Sequence, residues 1–151
     1  MDVCGDDLSQ KVLCDLFART GIVGRAFKNK AKLLIANDLE YYSYVLNRNY
    51  IGSHVALDTK QLIEELTALK CISRFIAQEY GAGGKAKGSY FTQENAQKID
   101  AIHQQIETWN NKRKISSDQH YFLLASLIES ADKVANTASV YWAYLKQIKK
   151  R

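Results

Sequence analysis

The sequence contains no proline among its 151 residues, whereas an average protein carries roughly 5%. Any motif that requires proline is therefore excluded from the chain. Cysteine is also sparse, because Cys4, Cys14 and Cys71 form neither a Cys-x-x-Cys pair nor a Cys/His cluster with zinc spacing. Scattered cysteines in odd number are typical of reduced intracellular thiols, and we expect Cys14, which lies in an apolar run, to be a small core residue.

Long apolar runs are missing as well, so no segment is long enough to span a membrane. The acidic and polar opening MDVCGDDLSQ is not a signal peptide, and we expect a cytoplasmic protein of single-domain size. His54, His103 and His120 have no ligand spacing, so no metal site is expected. Lys plus Arg, 21 residues, exceed Asp plus Glu, 16 residues. This excess favours an anionic partner such as nucleic acid, although an ordinary basic surface explains it equally well.

The first third of the chain alternates apolar runs with a glycine turn, as expected for a βαβ unit. Its two short, nearly continuous apolar runs are typical of buried parallel strands. Tyr41 and Tyr44 recur at helical spacing, so we expect their rings to pack against the sheet. The predicted elements are a strand at 11–17, a turn with Gly21 and Gly24, a short helix at 24–30, a strand at 31–38 and a helix at 39–51.

The rest of the chain has mainly helical periodicity. Ser116 and Gln119 form a capping-box pattern that opens a long apolar-periodic run. Without proline this run predicts one helix to about residue 149, unless the weak helix formers Asn136 and Thr137 break it. We expect Asp100 and Glu129 on solvated helix faces. The other predicted helices are residues 58–70, with Asp58 or Thr59 as N-cap, and residues 92–109, capped by Thr92.

Three residues of the first third have the arrangement of a nucleotide site. Glycine after a first strand lets a ligand approach the backbone, and an acid after the second strand accepts hydrogen bonds from ribose hydroxyls. Asp15, Gly21 and Asp38 stand in these positions, and Gly21 and Asp38 have nearly the spacing of roughly 20 residues found in dinucleotide folds. The glycine pattern is Gly-Ile-Val-Gly rather than Gly-x-Gly-x-x-Gly, so an ordinary strand–helix turn remains an alternative.

The chain resembles a known family in three separate segments. DLFARTGIVGRAFK followed by IANDLEYYSYVLNRNYI is similar to the start of the adenine-specific DNA methyltransferases of restriction–modification systems, which use S-adenosylmethionine. YFTQENAQKIDAI and YFLLASLIESADKVANTASVYWAYLK resemble the segments that follow. The resemblance implies an α/β protein with a partial Rossmann-like methyltransferase fold, one βαβ unit in residues 1–54. It also implies a mainly helical insert for DNA recognition in residues 55–151.

The resemblance assigns the cofactor residues one by one. The family's first motif is Asp-Leu-Phe-Ala-Gly-Thr-Gly, and Arg19 stands where this motif has its first glycine. Arginine adds a Cβ and a long charged side chain where glycine allows close approach of the cofactor, so S-adenosylmethionine binding is weakened or lost. If the φ angle of Arg19 is positive, the strain is about 1–2 kcal/mol. Asp38 then corresponds to the acid that holds the ribose hydroxyls, and Leu39 lies near the adenine. The residues that match the motif are Asp15, Leu16, Phe17, Ala18, Thr20 and Gly21.

The family's catalytic motif, Asp-Pro-Pro-Tyr, is absent because the chain has no proline. Its polar and aromatic residues bind the flipped adenine in the family, so this chain holds no catalytic residue. The resemblance therefore implies a fragment of a DNA methyltransferase that is inactive alone. The alternative is a non-catalytic remnant that binds DNA or complements a second polypeptide carrying the missing strands. A nucleotide-binding protein of different chemistry is a third hypothesis.

A glycine-rich loop at residues 77–91 is the candidate contact with DNA. Lys85, Lys87 and Tyr90 combine phosphate-binding cations with an aromatic ring. The alternative is a solvated loop whose aromatic residues anchor the next helix.

Overall fold

The computed structural model describes residues 7–85 and 90–137. The chain divides into two compact units, unit 1 at Met1–Leu57 and unit 2 at Asp58–Arg151. Cys4, Lys87 and the predicted continuation of the last helix towards residue 149 lie outside the described residues.

Unit 1 is built around two parallel strands, as the βαβ pattern predicted. Strand β1 (Val12–Asp15) pairs with β2 (Leu33–Ala36), with Val12 opposite Leu33 and Asp15 opposite Ala36. Helix α1 (Ile22–Phe27) connects them and α2 (Tyr41–Tyr50) follows β2. The molecule is therefore a mixed α/β protein in which both strands end at the same edge of the sheet.

The strands are much less buried than their apolar sequence predicted. Val12, Leu33 and Ile35 remain 58%, 52% and 46% exposed, and the Cys14 thiol is exposed rather than in a core. The reason is that β1 and β2 alone form the sheet in the described part of the chain. Buried parallel strands normally have layers on both faces, and here much of that cover is missing.

Helix α2 buries a different face from the one expected. Tyr41 and Tyr44 stack on each other at 5.8 Å and are exposed, so the prediction that they pack on the sheet is wrong. At the other end of α2, the Lys28 ammonium donates to the Tyr50 carbonyl at 2.9 Å and to the Ser53 carbonyl. A cation there satisfies carbonyls that have no partner within the helix. The buried residues of α2 are Ser43, Val45, Leu46 and Asn47.

Unit 2 is helical and has a buried core. Its elements are α3 (Lys60–Ala68), α4 (Phe75–Glu79), α5 (Gln93–Asn111) and α6 (Ser117–Val134). The predicted N-cap Thr92 accepts the Asn95 N–H at 3.1 Å, and Ser116 and Gln119 form the predicted reciprocal capping box. Helices α5 and α6 pack together around Ile106, Trp109, Leu123, Leu124 and Ala125.

Helix α6 is shorter than predicted. Helix α6 ends at Val134, because Ala135 is extended with ψ 137° and the Asn136 N–H donates to the Tyr90 carbonyl at 2.7 Å. The break falls at the weak helix formers that the sequence had marked as the alternative.

Asp100 was expected on a solvated face and is instead buried at 5% exposure. Its carboxylate accepts the N–H groups of Arg74, Ile76 and Ala77 at 2.9–3.0 Å. These are donors at the start of α4, which the sequence did not predict. A carboxylate from α5 therefore caps this short helix, replacing the side-chain cap that its own N-cap residue does not provide.

Candidate cofactor site

The turn between β1 and α1 holds most of the predicted cofactor residues and is fixed against the end of β2. The Ala18 N–H donates to the Asn37 carbonyl at 2.9 Å, and the Asn37 N–H donates to the Asp15 carbonyl at 2.8 Å. The Asn37 side chain adds a bond to the Leu16 carbonyl at 3.2 Å. Ligands of open α/β sheets bind at this carboxyl edge of the strands.

Arg19 adopts the strained conformation that its position in the motif implied. Its φ is 44° and that of Gly21 is 73°, so both residues lie in the left-handed region. The positive φ on which backbone strain at Arg19 depends is therefore present. Such a conformation costs a residue with a Cβ about 1–2 kcal/mol, but costs glycine almost nothing.

Asp38 binds this turn from the end of β2. Its Oδ2 accepts the Arg19 N–H at 2.8 Å, and its Oδ1 accepts the Glu40 N–H at 3.0 Å. The bonds from Glu40 and then Arg19 hold the pKa of the Asp38 carboxyl below its ordinary value of 3.8. A carboxylate offers about four acceptor positions, so capacity for ribose hydroxyls remains after both backbone bonds are made.

Asn47 on α2 completes the support of the turn and was missed by the sequence analysis. Its Nδ2 donates to the Ser43 carbonyl at 2.8 Å, to Ser43 Oγ at 3.1 Å and to the Arg19 carbonyl at 3.3 Å. Its Oδ1 is buried without a hydrogen-bond partner. The only signal in the sequence was a pair of polar residues, four apart, within the buried face of α2.

The remaining predicted residues differ widely in exposure. Ala18 is 5% exposed and packs inside the turn, whereas Thr20 is exposed. Phe17 is 83% exposed and Leu39 is 95% exposed, each just beyond the carboxyl end of its strand. Both side chains are therefore accessible to a ligand or to another chain.

A cleft of about 340 Å³ lies beside this edge, between the end of β2 and one side of α2. Its polar wall includes Asp38, Tyr44, Asn47 and Arg48. The volume is at the lower end of the roughly 300–1,000 Å³ of small-molecule sites. Asp38 is the residue that belongs both to this cleft and to the predicted cofactor set.

The candidate DNA contacts in unit 2 lie next to a row of aromatic rings. Tyr90 meets Tyr80 edge-on at 5.7 Å, and Tyr80 meets Phe75 at 6.0 Å. Phe75 is 66% exposed at the end of this row. Lys85 is exposed and forms an ion pair with Glu79 at 3.1 Å. Lys87, the other predicted cation, lies outside the described residues.

Other titratable residues have structural roles. The buried His120 bonds through Nε2 to the Glu107 carboxylate at 2.9 Å, which joins α6 to α5.

In residues 7–85 and 90–137, no set of three or more His, Cys, Asp or Glu side chains is arranged to hold a metal ion. Across the same described ranges, no helix has the length and apolarity needed to cross a membrane.

The family model for D12 class N6 adenine-specific DNA methyltransferases matches residues 4–151. The chain belongs to this family. Its members transfer methyl groups to DNA from S-adenosylmethionine, as the resemblance of the three sequence segments predicted.

The curated relatives of this D12-class chain carry the names of restriction–modification methylases. The chain is 56% identical to the type II methyltransferase M.NlaIII of Neisseria lactamica, over 99% of this chain and 45% of that protein. It is 39% identical to M.CviAII of Paramecium bursaria Chlorella virus 1, over 96% of this chain and 44% of that protein. The chain thus spans less than half the length of these relatives. No solved structure matches it significantly.

Proposed function

We propose that this chain supplies part of the S-adenosylmethionine site of an adenine-specific DNA methyltransferase. The observation that carries the proposal is the left-handed turn at Arg19 and Gly21, bonded to Asp38 at the carboxyl edge of two parallel strands. On this view the strand pair is part of a Rossmann-like sheet, residues 1–54 form the cofactor segment, and residues 55–151 form the segment for DNA recognition.

Each cofactor residue has a role that follows from its position. Asp38 accepts the ribose hydroxyls with the acceptor capacity left over from its backbone bonds. Gly21, with φ 73°, gives the ligand access to the backbone. Phe17 and Leu39 offer exposed apolar surface, and Leu39 lies near the adenine ring. Asp15, Ala18 and Thr20 shape the turn. S-adenosylmethionine itself supplies the activated methyl group.

Arg19 weakens this site without changing its outline. The residue takes the backbone conformation that the turn requires, but about 1–2 kcal/mol of strain comes with it. Its long charged side chain also adds bulk where the family motif has only glycine. Because of this bulk, we expect S-adenosylmethionine to bind less tightly than it does after Arg19→Gly, whereas the strain acts on the stability of the turn.

Unit 2 is the proposed DNA-binding part. It carries 14 Lys and Arg against 10 Asp and Glu, so it accounts for most of the net positive charge of the chain. Lys85 and Lys87 contact phosphates. Tyr90 contributes a ring beside Tyr80, which in turn meets the exposed Phe75. The reaction is transfer of the methyl group to N6 of adenine in DNA, and it needs no metal.

The chain lacks the Asp-Pro-Pro-Tyr motif, so we expect no methylation by this chain alone. The second candidate function is complementation of another polypeptide that carries the missing strands. The exposure of Val12, Leu33 and Ile35 favours it, because further strands and helices would cover these apolar side chains.

A segment exchange tests the proposal. The matching segment of M.NlaIII is replaced by this chain, and N6-methyladenine is measured in DNA by mass spectrometry. We expect methylation by the chimera, more methylation with Arg19→Gly, and a loss of methylation with Asp38→Ala.

Mixing the separate 151-residue chain with the rest of M.NlaIII tests complementation. Methylation by the separate 151-residue chain alone, or an Asp38→Ala chimera as active as its parent, contradicts the proposal.

A further inference from the structure

The turn residue Arg19 is held from both sides by side chains of two different elements. Its N–H donates to Asp38 Oδ2 at 2.8 Å, and its carbonyl accepts from Asn47 Nδ2 at 3.3 Å. The N–H fixes the peptide plane before the Cα atom and the carbonyl fixes the plane after it. Because φ and ψ are the rotations between these two planes, the pair of bonds restrains the backbone conformation of Arg19.

The Asn47 amide is itself fixed in one orientation. Nδ2 faces the carbonyls of Ser43 and Arg19, which only accept hydrogen bonds, so the amide nitrogen must point at them. The opposite atom, Oδ1, is left buried without a partner. A buried polar atom without a partner costs about 1–3 kcal/mol, so Oδ1 opposes this orientation of the amide. The hydrogen bonds donated by Nδ2 are therefore the contacts that stabilise it.

The unpartnered oxygen also lies against Gly21. A Cβ atom built on Gly21 would come within 2.7 Å of Asn47 Oδ1, closer than real Cβ contacts. Gly21 is therefore needed for two reasons, its φ of 73° and the space that the Asn47 amide occupies. Asn47 touches both left-handed residues of the turn, one through each end of its amide.

We propose that Asn47 is a positioning residue that holds Arg19 in its left-handed conformation and so keeps the cofactor turn in shape despite the missing glycine. The proposal deepens the proposed function, because the turn is the one assigned to S-adenosylmethionine. Asn47 acts through the Arg19 backbone. The Asp38 bond restrains one side of Arg19 and the Asn47 bond restrains the other.

The test is a double-mutant cycle in the 151-residue chain. Asn47→Asp keeps the shape but replaces the donor by an acceptor, and Arg19→Gly supplies a residue that adopts positive φ without help. Asn49→Asp, on the same helix, is the matched control for the added charge. Two readouts need no ligand. The first is the urea concentration at which unit 1 is half unfolded, followed by amide exchange. The second is the intraresidue HN–Hα NOE of residue 19, which is strong at positive φ.

We expect Asn47→Asp to weaken the NOE of Arg19 and lower the midpoint, and to lower it less in the Arg19→Gly background. A variant that unfolds with Arg19 but folds with glycine at position 19 gives the same support. The proposal is overturned if Asn47→Asp leaves the NOE of Arg19 unchanged, or if it lowers the urea midpoint equally in both backgrounds. It is also overturned if Asn47→Asp unfolds the chain in both backgrounds, or if Asn49→Asp changes the NOE and the midpoint as much as Asn47→Asp does.

S-adenosylmethionine titration adds a binding readout. Asn47→Asp should raise the Kd about tenfold in the Arg19 chain, which corresponds to about 1.4 kcal/mol, and less in the Arg19→Gly chain. An equal rise in both backgrounds contradicts the role of Asn47. Absence of binding by every variant, with the expected NOE and midpoint results, contradicts the proposed function and leaves the role of Asn47 supported.

Discussion

The two units of the chain bury their apolar side chains to different extents. In unit 2, Ile106 and Ala125 are fully buried between long capped helices. In unit 1, the strand residues Val12, Leu33 and Ile35 remain about half exposed, and Leu39 at the sheet edge is 95% exposed. A helical pair can enclose its own core, whereas a two-strand parallel sheet needs layers on its faces.

This difference indicates what each unit depends on. Unit 2 has the packing of a self-supporting core, and its stability should respond to single buried residues. Unit 1 depends more on backbone geometry at one turn, where Arg19, Gly21, Asp38 and Asn47 meet. Substitutions that remove packing should therefore have their largest effect in unit 2, and substitutions that alter the turn should act mainly on unit 1.

The largest effect should come from Ile106→Ala, because this side chain is fully buried in unit 2. Such a change costs about 2–5 kcal/mol of unfolding free energy. The matched change Leu33→Ala in unit 1 should cost about 0.5 kcal/mol, since half of that side chain is already in water. Urea unfolding measures both, followed by the fluorescence of Trp109 and Trp142 for unit 2 and by amide exchange in β1 and β2 for unit 1. Similar losses in the two units would remove the contrast.

Asp100→Asn should have the next largest effect. The carboxylate accepts three backbone N–H groups at the start of α4, and an amide retains only one acceptor oxygen. We expect a loss of about 1.5–3 kcal/mol and faster amide exchange at Ile76 and Ala77. The exposed Asp132→Asn on α6 is the control and should change little. Unaltered exchange in α4 would mean that the cap does not hold this helix.

Gly21→Ala tests the turn of unit 1 against an equivalent position in unit 2. Gly83 also has positive φ, 83°, but nothing lies within 4 Å of a Cβ built there. Both substitutions should cost about 1 kcal/mol from backbone strain, and Gly21→Ala should cost more because it also displaces the Asn47 amide. Unfolding free energies and S-adenosylmethionine affinity are measured. An equal cost at the two positions would argue against the Asn47 contact.

The smallest effect should be a pH dependence from Asp38. Backbone bonds from Glu40 and Arg19 lower its pKa in the folded chain below 3.8. A lowered pKa means that the stabilisation is present above the unfolded value, about 3.9, and is lost as the pH falls through the folded value. The stability of unit 1 should therefore fall below about pH 4 less steeply in Asp38→Asn than in the parent chain. Identical profiles would show that the carboxylate does not support the turn.

The sequence predicted the order of elements in unit 1 because local signals coincide there. Apolar runs, a glycine turn and an acid at a strand end are features of a few neighbouring residues. It failed on Cys14, Tyr41 and Tyr44, because burial was inferred from a sheet with covered faces. Whether an apolar side chain is buried depends on layers that lie elsewhere in the chain or outside it.

In unit 2 the errors arose from long-range contacts. Asp100 caps α4 from a position more than 20 residues away in sequence, and helix periodicity alone places it on a solvated face. The end of α6 depends on a bond between Asn136 and Tyr90. In the candidate site, the motif predicted the turn and Asp38, but Asn47 reaches Arg19 across 28 residues and matches no motif.

Isothermal titration of the 151-residue chain with S-adenosylmethionine, beside Arg19→Gly and Asp38→Ala, tests the central claim most directly. We expect Arg19→Gly to bind more tightly than the parent, because the substitution removes the charged side chain beside the turn. The backbone strain of Arg19 is present with and without the ligand, so its relief should raise folding stability instead. We expect Asp38→Ala to bind more weakly than the parent or to give no heat. Equal affinity in all three proteins, or no binding by any of them, would contradict the assignment of this turn as the cofactor site.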